Sequence, residues 1–540
     1  MRVLFLVFIS VLLVSCSKKQ NADKLFYNAV IYTFDSAFST NEAMVVTDGK
    51  IVETGNFKEL NKKYATKEQI DLKGKFVYPG FIDAHCHFYG LGNFMQMVDL
   101  SACKNFNEVV EACIKFYSRN PQPVIYGRGW DQNKWDNKDF PENTELNMAF
   151  PEIPVILKRV DGHAAIVNNA ALKLAGFTTQ TKIFGGDLLK QNNQLTGVLI
   201  DNAVDSLEKF LPKPTHQQLA QALILAQKHC FEYGITGVHD AGLEPEIIEV
   251  IDSLQKAGTL KMRIYAMVSI SDDNITWLER KNGIKTNFLN VSSFKMYADG
   301  ALGSRGACLL EPYNDSKNNY GLMITQIEKM ESYINRIANT NFQLNTHCIG
   351  DSANRTILNL YGKYLKNKLN RRWRIEHAQV IHPNDFDLYG KYGIVPSVQP
   401  THATSDMYWA EKRLGPNRIK SAYAYKDLLI QNGWLPLGTD FPVEHVSPFY
   451  TIDAAVSRKD EQGFPVGGFE IKNALTIKEA LKGITIWAAM AAFEENEKGS
   501  LESGKFADFV ILDIDLLKTD LLKIRNQKPI ETYVGGNKVN

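Results

Sequence analysis

Cysteine is scarce in this chain: there are seven among 540 residues, none in a Cys-x-x-Cys pair and none at framework spacing. That excludes a disulfide-stapled scaffold and a thiolate cluster. Net charge is equally absent, because 61 lysines and arginines face 60 acidic residues. Without a field of one sign, the chain has no electrostatic means of recruiting nucleic acid or an anionic membrane. Internal repeats and low-complexity tracts are missing too. The most apolar stretch, Val3 to Val14, is too short to span about 30 Å of hydrocarbon. What remains is a globular composition, 44% hydrophobic, long enough to bury a large core in two or three domains.

The N-terminus is a separate object. Met1-Arg2 precedes the apolar stretch, which ends in Leu13-Val14-Ser15-Cys16, small residues before a cysteine. Charge, length and cleavage pattern are those of a secretory signal, and the ending resembles a bacterial lipobox. Residues 1–16 are read as a signal with Cys16 as the lipidated first residue of the mature chain, and 17–23 as a tether. The expected location is outside the cytoplasm, lipid-anchored to the bacterial cell envelope at the periplasm or cell surface.

From 24 to 75, short β-type runs alternate with turns, and 491–540 matches this with strands around Gly535-Gly536. Both ends are expected to build one small β-sandwich domain around a central domain at 76–490. Within that centre lie eight apolar or β-branched segments, at 81–87, 235–241, 263–270, 291–299, 342–348, 372–379, 394–399 and 434–440. Most gaps carry helical periodicity, as in Leu219, Leu223, Ala226 and Cys230. The pattern predicts an α/β fold, a (β/α)8 TIM-like barrel. One gap is too long for a crossover, so an inserted subdomain is expected at about 95–230, after strand 1.

His85 and His87 carry the strongest chemical signal. Residues i and i+2 of a strand point the same way, so the two imidazoles converge, and neutral imidazole suits zinc. Lys295, His347, His377 and Asp440 stand in or at the ends of later strand segments, where barrel enzymes place their chemistry. Cys86 and Cys348 adjoin these residues and, facing the other way, are read as packing thiols. Lys295 is the awkward member, because an ammonium cannot coordinate a cation. Burial lowers a lysine pKa, and the neutral amine can take up carbon dioxide as an anionic carbamate that bridges two metals. Alternatively Lys295 stays cationic beside Asp299 or substrate; the residues alone leave both readings open.

The chain resembles the amidohydrolase superfamily, in its amidohydrolase-3, YtcJ-like branch, over nearly all of the mature protein. The resemblance rests on Pro79 to His87, Val160-Asp161-Gly162-His163, Lys295 to Ala307, His347 to Asp351, Ile375 to Gln379, Gly438 to Pro442 and Gly499 to Asp508. It implies two divalent metal ions, usually zinc: His85, His87 and Asp440 on one, His347 and His377 on the other, with carboxylated Lys295 bridging. Asp440 is then both ligand and catalytic base. As substrate-binding positions it suggests His163 and His239, with Arg305 and the aromatic wall Trp130 beside them. Trp130 and Trp135 serve equally as core aromatics of the insertion, and Arg305 equally as a partner for Asp299. Glu376 is expected to orient a ligand, and His402 and His445 are pocket candidates. Pro141 to Asn147 departs from the family pattern, which has a basic residue and a Leu-Asp pair there.

The expected activity is hydrolysis of a carbon-nitrogen, non-peptide bond in a small N-acyl, N-formyl or cyclic amide. Ester or lactone hydrolysis on the same metals is the alternative enzyme reading. A catalytically silent ligand-binding lipoprotein would be expected to have lost some ligands, and a single-metal deaminase has no need of a carbamate. The partners expected are a small-molecule substrate, the membrane through Cys16 and, as in the family, a second copy in a homodimer.

Overall fold

The computed structural model describes residues 19–132, 135–159, 164–183, 186–210, 213–366 and 368–540. It divides into two compact units. One comprises the chain up to Cys86, Cys230–Gly242 and Met262–Asn540; the other comprises His87–His229 and Leu243–Lys261. Among the described residues no helix is long and apolar enough to cross a membrane, and the six described cysteines are free.

In the first unit, both ends of the chain share one seven-stranded sheet. Phe509–Leu512 runs antiparallel to Tyr64–Pro79, which pairs in parallel with Gln20–Tyr32. Successive side chains of a strand leave on opposite faces, and both faces here are buried. Met44 and Val46 join Phe26, Val77 and Phe509 in one cluster. Ala43 and Val45 join Leu25, Leu60 and Tyr64 in another. The first strand begins at Gln20, within the stretch read from sequence as a tether. Polar side chains suit it because ladder hydrogen bonds, not burial, hold its opening residues against Tyr64–Glu68.

The same unit contains the barrel. Its parallel strands are Phe81–Cys86, Ile235–Leu243, Arg263–Ser269, Leu289–Tyr297, Gln343–Cys348, Arg374–His377 and Val395–Ser397, neighbours in that order. Residues 435–440 close the ring without regular strand geometry: Ala84 N–H donates to Leu437 O (3.1 Å) and Gly438 N–H to Val398 O (3.0 Å). Gly438 is required by that approach, since a Cβ there would sit 2.5 Å from His85 N. The strands are buried on nearly every residue because core lies on both sides of them.

The second unit is built on a six-stranded mixed sheet, ordered Gly186–Gln191, Gln194–Asp201, Ala164–Val167, Val155–Arg159, Ile125–Trp130 and Val98–Asp99. It opens at His87, earlier than the expected 95, and takes in the helix Pro245–Lys256. Its core gathers Val109, Cys113, Ile125, Leu146, Leu157 and Ile166 around Trp130 and Trp135.

Candidate metal centre

Five of the residues singled out in the sequence stand at the C-terminal ends of barrel strands or of the closing segment, and the fold brings them together. His85 Nε2 lies 3.2 Å from Lys295 Nζ and 3.5 Å from Asp440 Oδ1. The His377 ring is 4.8 Å from that of His85 and 4.5 Å from that of His347. Ligand atoms of His85, His377 and Asp440 all lie within 4.8 Å of one another.

The local backbone is unusual at two of these positions. His377 and Asp440 have φ of +72° and +64°, a left-handed conformation that costs a non-glycine residue on the order of 1–3 kcal/mol. His377 is the last residue of its strand and Asp440 the last of the closing segment, so each left-handed residue turns the chain where the barrel wall ends. Asp440 is fixed there by its own N–H, which donates to His85 O at 2.8 Å. Asp83 ties the same junction, accepting from His85 N–H (3.1 Å) and from Thr439 Oγ1 (2.7 Å).

Burial keeps the imidazoles neutral. It lowers His85 to about 4, with Lys295 adding to the effect, and lowers His347 to about 3 for the same reasons. His377 is pushed well below its ordinary value by burial and by His347. Lys295, 1% exposed, is pulled down to about 8 by burial although Glu376 and Asp440 oppose the shift. Neutral nitrogens beside a carboxylate are the donor set a borderline divalent cation prefers.

Each ring is also aimed. Glu376 accepts from His85 Nδ1–H, leaving Nε2 to face the cluster. Gln399 Oε1 accepts from His377 Nδ1–H at 2.8 Å. His347 Nε2 is buried without a hydrogen-bond partner among the described residues, Asp299 Oδ1 being 3.9 Å away. An orphaned buried nitrogen costs about 1–3 kcal/mol, and a metal ion at the cluster removes that cost. The residues present therefore fit a divalent metal.

Beneath the ligands, toward the N-terminal end of the sixth strand, Arg374 is fully buried. Its Nε lies 2.7 Å from Glu376 Oε1, and Nη2 donates to Glu376 Oε2 (3.1 Å), Ser397 Oγ (2.9 Å) and Ala84 O. Burial disfavours the Glu376 charge, yet Arg374 and His85 hold its carboxyl far below the usual carboxylate range.

Other expectations fall elsewhere. His239 is completely buried in the Arg374 layer, with Nδ1 accepting from Arg374 Nη1 at 3.1 Å. Arg305 is paired with Asp315 (2.9 Å) because Asp299 already accepts the N–H groups of Cys308, Ile349 and Gly350. Trp130 is corrected from pocket wall to core: it is fully buried and its indole N–H donates to Leu157 O at 2.7 Å. His87 occupies the N-cap position of the helix Phe88–Phe94 without a side-chain capping hydrogen bond, which leaves its expected ligand role untouched. His163 and Cys16 lie outside the described residues. Reading the sequence missed Arg374, Gln399 and Glu444. The only signal for Arg374 was its i, i+2 spacing to Glu376, the spacing that revealed His85 and His87.

A sequence profile described as the amidohydrolase family matches residues 68–540. The chain is 31% identical to YtcJ of Bacillus subtilis (strain 168), over 95% of this chain and 98% of that one. It is 26% identical to the N-substituted formamide deformylase of Arthrobacter pascens, over 96% and 98%. Among solved structures, an uncharacterized metal-dependent hydrolase from Pyrococcus horikoshii OT3 matches with a TM-score of 0.80 at 27% identity, over 92% of this chain and 99% of its own.

Proposed function

Since the chain belongs to the amidohydrolase family, we propose that it is a metal-dependent hydrolase of a carbon-nitrogen, non-peptide bond in a small N-acyl, N-formyl or cyclic amide. The observation that carries this is the convergence of His85, His377 and Asp440 within 4.8 Å, with Lys295 and His347 at its edge. The full-length likeness to a formamide deformylase favours the N-formyl class within that range.

Two zinc ions would be held by His85, His87, His347, His377 and Asp440 together with carboxylated Lys295. Bound divalent metal lowers the pKa of water and polarises a carbonyl oxygen. The protein supplies the rest. Asp440 accepts the proton of the attacking water and returns it to the leaving nitrogen. Glu376 and Gln399 keep the imidazole lone pairs turned toward the cluster. Lys295, pulled down to about 8 by burial, has a neutral amine fraction near neutral pH. Its nitrogen forms a bond to the carbon of carbon dioxide and releases one proton, giving the carbamate. The reading also takes residues 1–16 as a secretory signal ending in the lipobox-like Leu13-Val14-Ser15-Cys16, and Cys16 as a lipid anchor, so that the enzyme works outside the cytoplasm.

The test is amine release from a panel of N-acyl, N-formyl and cyclic-amide compounds by zinc-loaded protein, beside lactones and esters of matching shape. Release of amine establishes the proposed bond. Turnover confined to the lactones and esters, or none from fully metallated protein, rejects it. Lys295→Ala should lower metal occupancy, with partial rescue by a short carboxylic acid; full occupancy would reject the carbamate.

A further inference from the structure

The seventh strand, Val395–Ser397, brings no ligand to the cluster, yet the segment after it holds groups from both neighbouring strands. Gln399 takes His377 from the sixth strand. One turn on, His402 Nε2 lies 3.4 Å from Asp440 Oδ2 on the closing segment. After another turn, Asp406 Oδ2 accepts from Gln379 Nε2 (3.2 Å) and from Tyr423 Oη (2.8 Å). These positions share one face of the helix Pro400–Asp406 and its cap.

We propose that His402 is a positioning residue for Asp440 and that Glu444 holds His402 in place. The catalytic consequence rests on the function proposed above. His402 Nδ1 lies 3.1 Å from Glu444 Oε1, and that oxygen also accepts from Ser405 Oγ at 2.6 Å. The imidazole is thus clasped between two carboxylates, with only 12% of its side chain exposed. Asp440 in turn directs Oδ1 toward the cluster, 3.5 Å from His85 Nε2, and Oδ2 toward His402.

The contact with His402 matters because the terminal torsion of aspartate is broad and roughly two-fold. A backbone held at φ +64° fixes where Cβ lies, but it does not fix the plane of the carboxylate. A base that must take a proton from one direction and return it in another needs that plane set. His402 sets it from Oδ2, while Oδ1 is the oxygen nearer His85. Both ring nitrogens of His402 are taken up by carboxylates, Nε2 by Asp440 Oδ2 and Nδ1 by Glu444 Oε1, so it has no nitrogen to spare for a metal and removing it should leave the metal in place.

The experiment compares cobalt(II)-loaded wild type with His402→Ala, His402→Gln and Glu444→Gln by metal content, visible absorption, kcat and KM. His402→Ala is expected to retain its metal, shift the cobalt absorption, and lower kcat about 10–100-fold with KM little changed. His402→Gln, whose amide N–H can still reach Asp440, should recover most of kcat and the wild-type spectrum, with Glu444→Gln in between. The proposal is overturned if His402→Ala matches wild type in spectrum and turnover, if it loses its metal, or if glutamine restores neither readout. A wild type silent on every amide would sink the proposed reaction alone, because spectrum and rescue still report on Asp440.

Discussion

Glu494 and the histidines at the strand ends belong to the same unit and are buried to a similar degree, but they have opposite surroundings. The Glu494 carboxylate has Lys498 Nζ and Lys285 Nζ each at 2.5 Å and Asn290 Nδ2 at 3.3 Å. Burial works against its charge, and the two lysines outweigh it, holding the group down to about 2. Among the described residues no such partner reaches His347 Nε2, and burial, with Lys295 adding to it against Asp440, keeps the ring neutral. Burial of a titratable group therefore does not mark a working site. A buried group that the fold leaves uncompensated does, because the missing partner has to come from outside the chain.

The most direct way to break that contrast is to neutralise the site's base. Asp440→Asn keeps a ligand oxygen and the backbone turn but cannot carry a proton. Turnover should fall about 10²–10⁴-fold, while metal content and thermal midpoint stay near wild type. Steady-state rates beside metal analysis check this, and wild-type turnover in the variant would remove Asp440 from the chemistry.

Arg374 and Glu376 are the exception within the site, a buried pair as well matched as Glu494 with its lysines. Arg374→Met leaves Glu376 charged and unpaired inside the barrel, which should cost about 3–5 kcal/mol. Replacing both, as Arg374→Met with Glu376→Gln, should return much of that loss, because a neutral pair no longer needs compensation. Denaturant unfolding of the two variants decides it. A single variant as stable as wild type would show that the pair contributes nothing, and the contrast between the two regions would fail.

The barrel was legible because its strands are buried on both sides, so apolar and β-branched residues mark most of the segments even where polar residues interrupt them. The segment expected at 81–87 is the strand Phe81–Cys86, and that at 263–270 is Arg263–Ser269. The five residues that converge were legible because a histidine, lysine or aspartate near the end of a buried strand has little structural purpose. The segment at 434–440 closes the ring without strand geometry because Gly438 must press against His85. What stayed hidden depends on neighbours distant in sequence. Glu376 meets His85 and Glu444 meets His402 only once strand order is fixed. Trp130 looks the same in sequence whether it lines a pocket or fills a core. The helix Pro245–Lys256 joins the inserted unit across an intervening barrel strand, and local periodicity cannot say which body a helix joins.

The sharpest form of the contrast is a difference in pH dependence, smaller than the effects above but opposite in sign at its two ends. Glu494 has its folded pKa lowered from 4.5 to about 2. Its contribution is therefore present above pH 4.5 and lost as the pH falls toward 2, on the order of 3 kcal/mol in all. Glu494→Gln should be destabilised at pH 7, and the gap to wild type should narrow below pH 4.5. Lys295 in metal-free protein is lowered from 10.5 to about 8 by burial, against its neighbouring carboxylates. Between those values the folded state holds fewer protons than the unfolded chain, so stability rises with pH there. Lys295→Met should then be more stable than metal-free wild type at pH 7, and lose that advantage as the pH approaches 10.5. Denaturant midpoints across pH for both variants test compensation directly: if both substitutions destabilise with the same pH dependence, Lys295 is held by partners as Glu494 is, and the amine is not poised for a ligand's role.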